Sequence, residues 1–256
     1  MLKYWHINFI FLILLLMLLV AYHKFNLSLF WFFYLFMFYL IICFLGAAFI
    51  RSNLYLNVIC RYKGNNSKTI FLTFDDGPDE KETPLVLDIL EKHNVKASFF
   101  IIGEKAEMNS SLLRHIASRG HVLGNHSYSH HNLFPLKRKR KIEQELNKTF
   151  ELIKNVNPNE EHFFRPPFGF TNPIIAGAVN TIKPHVIGWS FRSLDTMIKD
   201  KDKLYKRLVR KTSPGKVVLL HDTVKDIHIV LDKYIVYLKK NNYNFETVNK
   251  LISVCP

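Results

Sequence analysis

Thr69-Ile70-Phe71-Leu72-Thr73-Phe74-Asp75-Asp76-Gly77-Pro78 is a β-branched and aromatic run that stops on two carboxylates and a turn. The run at 69–74 reads as a buried strand, and Gly77-Pro78 reads as the turn that leaves it. Two adjacent anions at a buried strand end repel one another and raise each other's pKa unless a cation compensates them. Further along, His126-Ser127-Tyr128-Ser129-His130 supplies two imidazoles whose four-residue spacing is expected to place both on one face of a helical turn, as in helical zinc sites. One carboxylate and two imidazoles suit a two-histidine, one-carboxylate metal centre, and the second carboxylate is then free to act as a base. The combination points to hydrolysis.

Outward from this stretch, short apolar runs alternate with longer amphipathic ones, which is the pattern of successive β-α units. Strands are predicted at 69–74, 97–102, 121–124, 163–165, 185–189, 217–220 and 245–248. Helices are predicted at 83–93, 110–119, 137–154, 172–181, 201–211 and 227–240. The fold class is therefore α/β with a parallel sheet. In such folds ligands gather at the carboxyl ends of the strands. Every polar cluster of interest follows a predicted strand: Asp75-Asp76 the first, His126 and His130 the third, Arg165 to Gly169 the fourth, Asp195 the fifth, His221-Asp222 the sixth.

Each of these clusters has a structural reading beside the chemical one: Asp75-Asp76-Gly77-Pro78 could be just a turn, and His126 with His130 a chance pair among twelve histidines. In Arg165-Pro166-Pro167-Phe168-Gly169 the diproline fixes two φ angles, which pins the next backbone N–H where it can serve an oxyanion. The same stiffness would also suit a loop that only has to fold. His221 emerges from the apolar run 217–220, and a partnership with Asp195 would raise its pKa and make it a general acid near neutral pH, or simply a salt-bridged structural histidine.

The amino-terminal part is of another kind. Residues 9–22 and 29–50 are apolar stretches separated by His23-Lys24-Phe25-Asn26. The second reaches across the roughly 30 Å of a hydrocarbon core without a charge, and Trp31, Tyr34 and Tyr39 add amphipathic rings. The first has the length of a signal-peptide core, yet Val20-Ala21-Tyr22-His23 is poor cleavage chemistry, so a retained anchor is expected. The organisation expected is a membrane anchor of one or two transmembrane helices at 1–52, a linker at 53–66 and a catalytic domain at 67–256. Charge leaves the topology open, because Lys24 opposes Lys3 and Arg51.

A formal net charge of +14 favours anionic polymers or lipid head groups. The densest basic run, Lys137-Arg138-Lys139-Arg140-Lys141, leads into helical spacing at Ile142, Leu146, Phe150 and Ile153 and reads as a solvated face, so nucleic acid is not expected as a partner. There is no C-x-x-C spacing and hence no zinc ribbon. Cys60 and Cys255 flank the soluble part and could pair in an oxidising compartment. The oligomeric state is not legible.

In order, T-F-D-D-G-P, H-S-x-x-H, R-x-P-F-G, W-S-x-x-x-x-D and L-L-H-D resemble the motifs of the polysaccharide deacetylases, the NodB-homology or carbohydrate esterase family 4 domain. The resemblance spans about residues 67–252 and implies an irregular (β/α)7 barrel. It implies one divalent metal on Asp76, His126 and His130, zinc first, with cobalt, nickel or manganese suited to the same donors. It also implies Asp75 as base held by Arg165, and His221 as acid tuned by Asp195. The backbone N–H of Phe168 would hold the oxyanion, while Pro167, Phe168, Trp189 and Leu219 would contact substrate, Leu219 beside the acetyl methyl.

The implied activity is N-deacetylation of amino sugars in a cell-envelope polysaccharide, peptidoglycan GlcNAc first, at the extracytoplasmic side of the cell membrane. The alternatives are an exopolysaccharide or chitin-like substrate, or a catalytically silent glycan-binding membrane protein. Three positions depart from the family pattern: Phe168 where tyrosine is common, Arg192 where an acid often sits, and Thr196 in place of a tryptophan.

Overall fold

The computed structural model describes residues 3–64 and 68–253. It begins with two helices, α1 (Tyr4–Phe25) and α2 (Phe30–Ala48), which reverse direction through Asn26 in the left-handed region. Both are long and apolar enough to cross a membrane. At about 1.5 Å rise per residue, the 22 residues of α1 extend about 33 Å. Apolar side chains such as Phe9, Met17, Phe33 and Phe44 point outward along both helices, and α1 buries none of its residues. A helix that is apolar all round suits lipid rather than water. The two pair through the Tyr39 hydroxyl donating to Asn8 Oδ1 (2.9 Å) and through Phe11 against Tyr39.

The α/β domain runs β1 (Thr69–Asp75), α3 (Glu82–Lys92), β2 (Ser98–Ile101), α4 (Gly103–Met108), α5 (Ser110–Ser118), β3 (Val122–Asn125), α6 (Lys139–Val156), β4 (Phe163–Phe164), α7 (Pro173–Ile182), β5 (His185–Val186), β6 (Phe191–Arg192), α8 (Lys201–Lys211), β7 (Lys216–His221), α9 (Ile227–Lys240), β8 (Asn244–Phe245) and α10 (Asn249–Ile252). The strands pair in the order β5-β4-β3-β2-β1-β7-β6, all parallel, with β8 joining β1 off that path. The result is the curled parallel sheet of an irregular (β/α)7 half-barrel.

The predicted strands are present, though 185–189 and 245–248 are ordered as strand only at His185–Val186 and Asn244–Phe245, and Phe191–Arg192 adds a short strand that the apolar pattern does not reveal. The helices expected at 201–211 and 227–240 have those bounds. The Asp200 side chain caps α8 by accepting from the backbone N–H groups of Asp202 and Lys203, and Asn172 caps α7 by accepting from Ile175. The short α4 has no apolar periodicity of its own and was not expected.

β1 is the centre of the sheet and is buried along its whole length. The strand alternation decides what it presents. Ile70, Leu72 and Phe74 pack into the layer between sheet and helices, where Val86, Leu87 and Leu90 of α3 meet Val230, Leu231 and Tyr234 of α9. Phe71 joins Phe100, Phe163, Ile187 and Val217 in the barrel interior. The same parity sends Thr73 and Asp75 inward, so the hydrophobic floor and the first carboxylate lie on one face of one strand.

The segment after α2 packs onto the domain. Leu54, Leu56 and Val58 are buried, Ile59 bridges Ile187 beside β5, and Arg61 bridges Lys216 of β7. It therefore runs along the seam left by the open side of the sheet. The proposed pairing of Cys60 with Cys255 lies outside the described residues, since Cys255 is not among them, while Cys60 is partly buried against Gly188.

Phe71 fills the interior with no exposed surface. Phe71→Ala is expected to lower unfolding stability by about 3–5 kcal/mol, read from chemical denaturation of the detergent-solubilised chain; a loss below ~1 kcal/mol would mean that the interior is not packed on this ring.

Candidate active site

Six strand ends converge on a pocket of about 170 Å³ lined by Asp75, Asp76, His126, His130, Trp189 and His221 among others. At its base Arg165 has no exposed surface. It donates from Nη1 to Asp75 Oδ1 (2.6 Å) and Thr73 Oγ1 (2.9 Å), from Nε to the Ile187 carbonyl (3.1 Å) and from Nη2 to the Gly188 carbonyl (2.9 Å). Its guanidinium stacks 4.0 Å from the centre of the Phe100 ring. Burial presses the Arg165 pKa down, while the charge and hydrogen bond of Asp75 press it back up. The compensating cation that the paired acids require is thus this arginine.

Asp75 ends β1 and Asp76 lies just past it at φ 71°, so the two carboxylates diverge. Asp76 Oδ1 lies 3.5 Å from His126 Nε2 and 3.4 Å from His130 Nε2, and it is buried with no hydrogen-bond partner. A buried carboxylate oxygen without a donor is costly. The His126 Nδ1–H donates to the Arg165 carbonyl (2.7 Å), which leaves Nε2 as the bare nitrogen facing Asp76. Burial first, and then the neighbouring His126, hold the His130 pKa down to about 4, so its ring is neutral near pH 7 as a ligand must be. The three donor atoms lie within 4.8 Å of one another. Among the described residues Asp76, His126 and His130 are a group that could hold a metal ion.

The expected helical turn at 126–130 is not there. Both histidines sit on a loop after β3, with Ser127 at φ 66° and His130 at φ 46°. Local side chains capture the backbone instead: Asn125 Oδ1 accepts from the Ser127 N–H (2.8 Å), and the Ser127 hydroxyl accepts from the His130 N–H (3.1 Å). The tight loop brings the rings to a centroid distance of 4.8 Å. Four-residue spacing therefore succeeds here by a route other than helix periodicity.

His221 closes the other side. The carboxylate of Asp195, itself fully buried, accepts from His221 Nδ1–H (2.8 Å) and from the His221 backbone N–H (2.7 Å). Burial alone would lower the His221 pKa, but the Asp195 hydrogen bond and charge, with Asp75 and Asp76 behind them, outweigh it and raise it to about 9. Nε2 points across the pocket, 3.9 Å from Asp76 Oδ2.

Phe168 stands at φ 59°, half-exposed at the pocket rim, with its ring against His130. The next residue, Gly169, is at φ 67°, and a Cβ there would lie 2.2 Å from the Trp189 ring, so only glycine lets the loop press on that tryptophan. Leu219, Trp189 and Phe168 line the pocket, whereas Pro167 is buried behind it and shapes the loop without reaching the cavity.

Three residues not named as site residues from the sequence also matter. Arg192 and Thr196 line the pocket at the positions that depart from the family pattern. Asp222 lies behind the Asp75-Asp76 turn: it accepts from the Thr83 hydroxyl (2.5 Å), and a Cβ on Gly77 would lie 2.2 Å from its Oδ2. Burial lifts its pKa to about 7. Its adjacency to His221 in L-L-H-D was the available signal, but the residues it braces are far away in sequence.

The profile described as Polysaccharide deacetylase matches residues 62–184. The Bacillus subtilis peptidoglycan-N-acetylmuramic acid deacetylase PdaA is 32% identical over 196 residues, covering 75% of this chain and 74% of its own. Its solved structure, described as a family 4 carbohydrate esterase, aligns at a TM-score of 0.69 over 76% of this chain and 85% of that one. A Bacillus cereus peptidoglycan-N-acetylglucosamine deacetylase is 34% identical over 189 residues, covering 72% and 68%. A family pseudoenzyme from Bacillus anthracis aligns at a TM-score of 0.70 with 29% identity, over 77% of this chain and 69% of that one. The chain belongs to the polysaccharide deacetylase family. It is a hydrolase of carbon–nitrogen bonds other than peptide bonds, a polysaccharide N-deacetylase.

The raised His221 pKa depends on Asp195, since burial acts in the opposite direction. NMR titration of the metal-free chain should place the His221 imidazole midpoint near 9, and Asp195→Asn should bring it to or below the ordinary 6.5. An unmoved midpoint would remove Asp195 from this role.

Proposed function

We propose that this chain is a membrane-anchored, zinc-dependent deacetylase that removes the acetyl group from amino sugars of peptidoglycan outside the cell membrane. The observation that carries the chemistry is the facing arrangement of Asp75, held by Arg165, and His221, held by Asp195, across the Asp76–His126–His130 cluster. A divalent ion on those three residues would supply Lewis acidity to the acetamide carbonyl and to water. Asp75, with one oxygen fixed by Arg165, accepts the proton of the attacking water through the other. The new oxygen–carbon bond places negative charge on the former carbonyl oxygen, and the Phe168 N–H is free to donate to it, because the backbone bonds of this turn use the N–H groups of Gly169 and Phe170. His221 Nε2 gives its proton to the nitrogen as the carbon–nitrogen bond breaks, releasing acetate and the free amine. Leu219 offers an apolar wall to the methyl group.

Because the fold also carries a pseudoenzyme, activity rests on these side chains and not on the barrel. Exposed apolar helices 22 and 19 residues long support the anchor, and the names of the relatives support peptidoglycan. Incubating the chain with defined peptidoglycan and chito-oligosaccharide fragments should release acetate from peptidoglycan, seen by mass spectrometry. Asp75→Asn should cut the rate by about 10²–10⁴-fold; undiminished release would remove Asp75 as the base.

A second reading of the sugar has its own support. The exposed Arg192 guanidinium stands on a pocket-lining residue where an acid is common in the family, and a cation there suits the lactyl carboxylate of N-acetylmuramic acid. On this reading Arg192→Glu lowers kcat/KM on muramic substrates by about tenfold or more, as a lost charged contact of ~1.4 kcal/mol would. Equal losses on glucosamine substrates would leave N-acetylglucosamine as the target.

A further inference from the structure

The basic run Lys137–Lys141 takes no part in the site, and the structure gives it a different setting from a plain solvated face. α7 lies over the ends of both N-terminal helices. Just before its start, the Thr171 N–H donates to the carbonyl of Ala47 at the end of α2 (3.0 Å). At its far end, Val179 and Lys183 line a cleft of about 720 Å³ together with Tyr4 and Trp5 at the beginning of α1 and Tyr55 of the segment after α2. These two contacts, at opposite ends of a ten-residue helix, establish which side of the domain is turned to the anchor.

Several exposed apolar side chains lie near these contacts. Phe168 and Ile174 each lie three residues from Thr171, hence within about 11 Å of it along the chain, and they are 51% and 41% exposed. The Asn172 side chain donates to the Pro135 carbonyl (2.6 Å), which ties in the short 3-10 turn Phe134–Leu136. Flanking that bond, Leu133 and Leu136 are 56% and 75% exposed. Immediately after them come the exposed cations Arg138, Lys139, Arg140 and Lys141 at the start of α6. Scattered exposed leucines need no explanation, but these stand on segments bonded to one another and to the end of a membrane-length helix.

We propose that this face, with Leu133, Leu136, Phe168 and Ile174 beside the cations 138–141, docks on the anionic head-group layer of the bilayer that holds α1 and α2. The pocket mouth then opens at the membrane surface, since Phe168 belongs both to the rim and to the face. Charge complementarity and continuity with the anchor select a lipid surface over other occupants. Each cation near such a surface is drawn to its negative potential, and the covalent anchor makes the contact intramolecular. The proposal rests on the anchored reading above.

The test uses the full chain in lipid nanodiscs, with Cys43, Cys60 and Cys255 replaced by alanine and a nitroxide placed in turn on Leu136→Cys, on Phe36→Cys within α2 and on Val236→Cys of α9. Relative access of oxygen and of a water-soluble nickel chelate reports depth. In discs containing phosphatidylglycerol, the label at 136 should be rich in oxygen and poor in nickel, approaching position 36 and unlike position 236. Arg138→Glu with Arg140→Glu, or discs of phosphatidylcholine alone, should return it to the aqueous value. An aqueous label at 136 with position 36 still in hydrocarbon overturns the docking and leaves the anchor intact. Aqueous labels at both positions remove the anchor, and the docking with it. Dipolar broadening between labels at 136 assigns the face to a second copy of the chain and overturns the lipid assignment.

Discussion

Taking a guanidinium completely out of water is tolerated only when its donors are met by acceptors of fixed position and its charge by an anion, and Arg165 has both. It bonds Thr73 and Asp75 of β1 and the carbonyls of Ile187 and Gly188, while its own carbonyl receives the His126 Nδ1–H. One buried residue, by its side chain and its carbonyl, thus joins the central strand, the end of β4, the stretch after β5 and a candidate metal ligand. The positions of the Asp75 carboxylate and of the His126 imidazole are therefore not independent. Removing either partner of the Arg165–Asp75 pair would strand a charge in the interior, a loss of about 3–5 kcal/mol in such pairs.

The second constraint is the pairing of opposite pKa environments. His130 sits among buried neighbours and another imidazole and is held neutral, whereas His221 sits on the Asp195 carboxylate and is held protonated. The same residue type is thereby held neutral on one side of the pocket and protonated on the other. Asp222, braced by Thr83 and pressed on Gly77, carries this order back into the turn that bears Asp76.

Much of this was legible in the residue order. Strand alternation in 69–75 separates Phe74 from Asp75, and the position of each polar cluster after an apolar run places it at one end of the sheet. The reading failed where side chains override backbone periodicity. The four-residue spacing of His126 and His130 suggested a helix, but Asn125 and Ser127 offered closer hydrogen bonds, and a loop resulted. Pro167 was expected at the substrate and lies behind it, because a residue that shapes a loop need not line the cavity the loop encloses. Phe191–Arg192 is too short to leave a pattern, although it carries the Arg192 of the pocket rim.

Alone, the amino-acid sequence determined the α/β class, the membrane-length helices, and the identity and order of the reactive side chains, because those depend on local periodicity and on the chemistry of single residues. The tertiary structure decided which of them act together. Asp75 and Arg165 are ninety positions apart and meet at 2.6 Å, and Asp76 Oδ1 faces two imidazoles some fifty residues away. It also decided where the site stands relative to the two N-terminal helices, since only the packed domain brings Thr171 to Ala47. The physical reason is the same in each case: a buried charge or an orphan carboxylate oxygen selects its partner by distance in the folded core, and sequence separation carries no record of that distance.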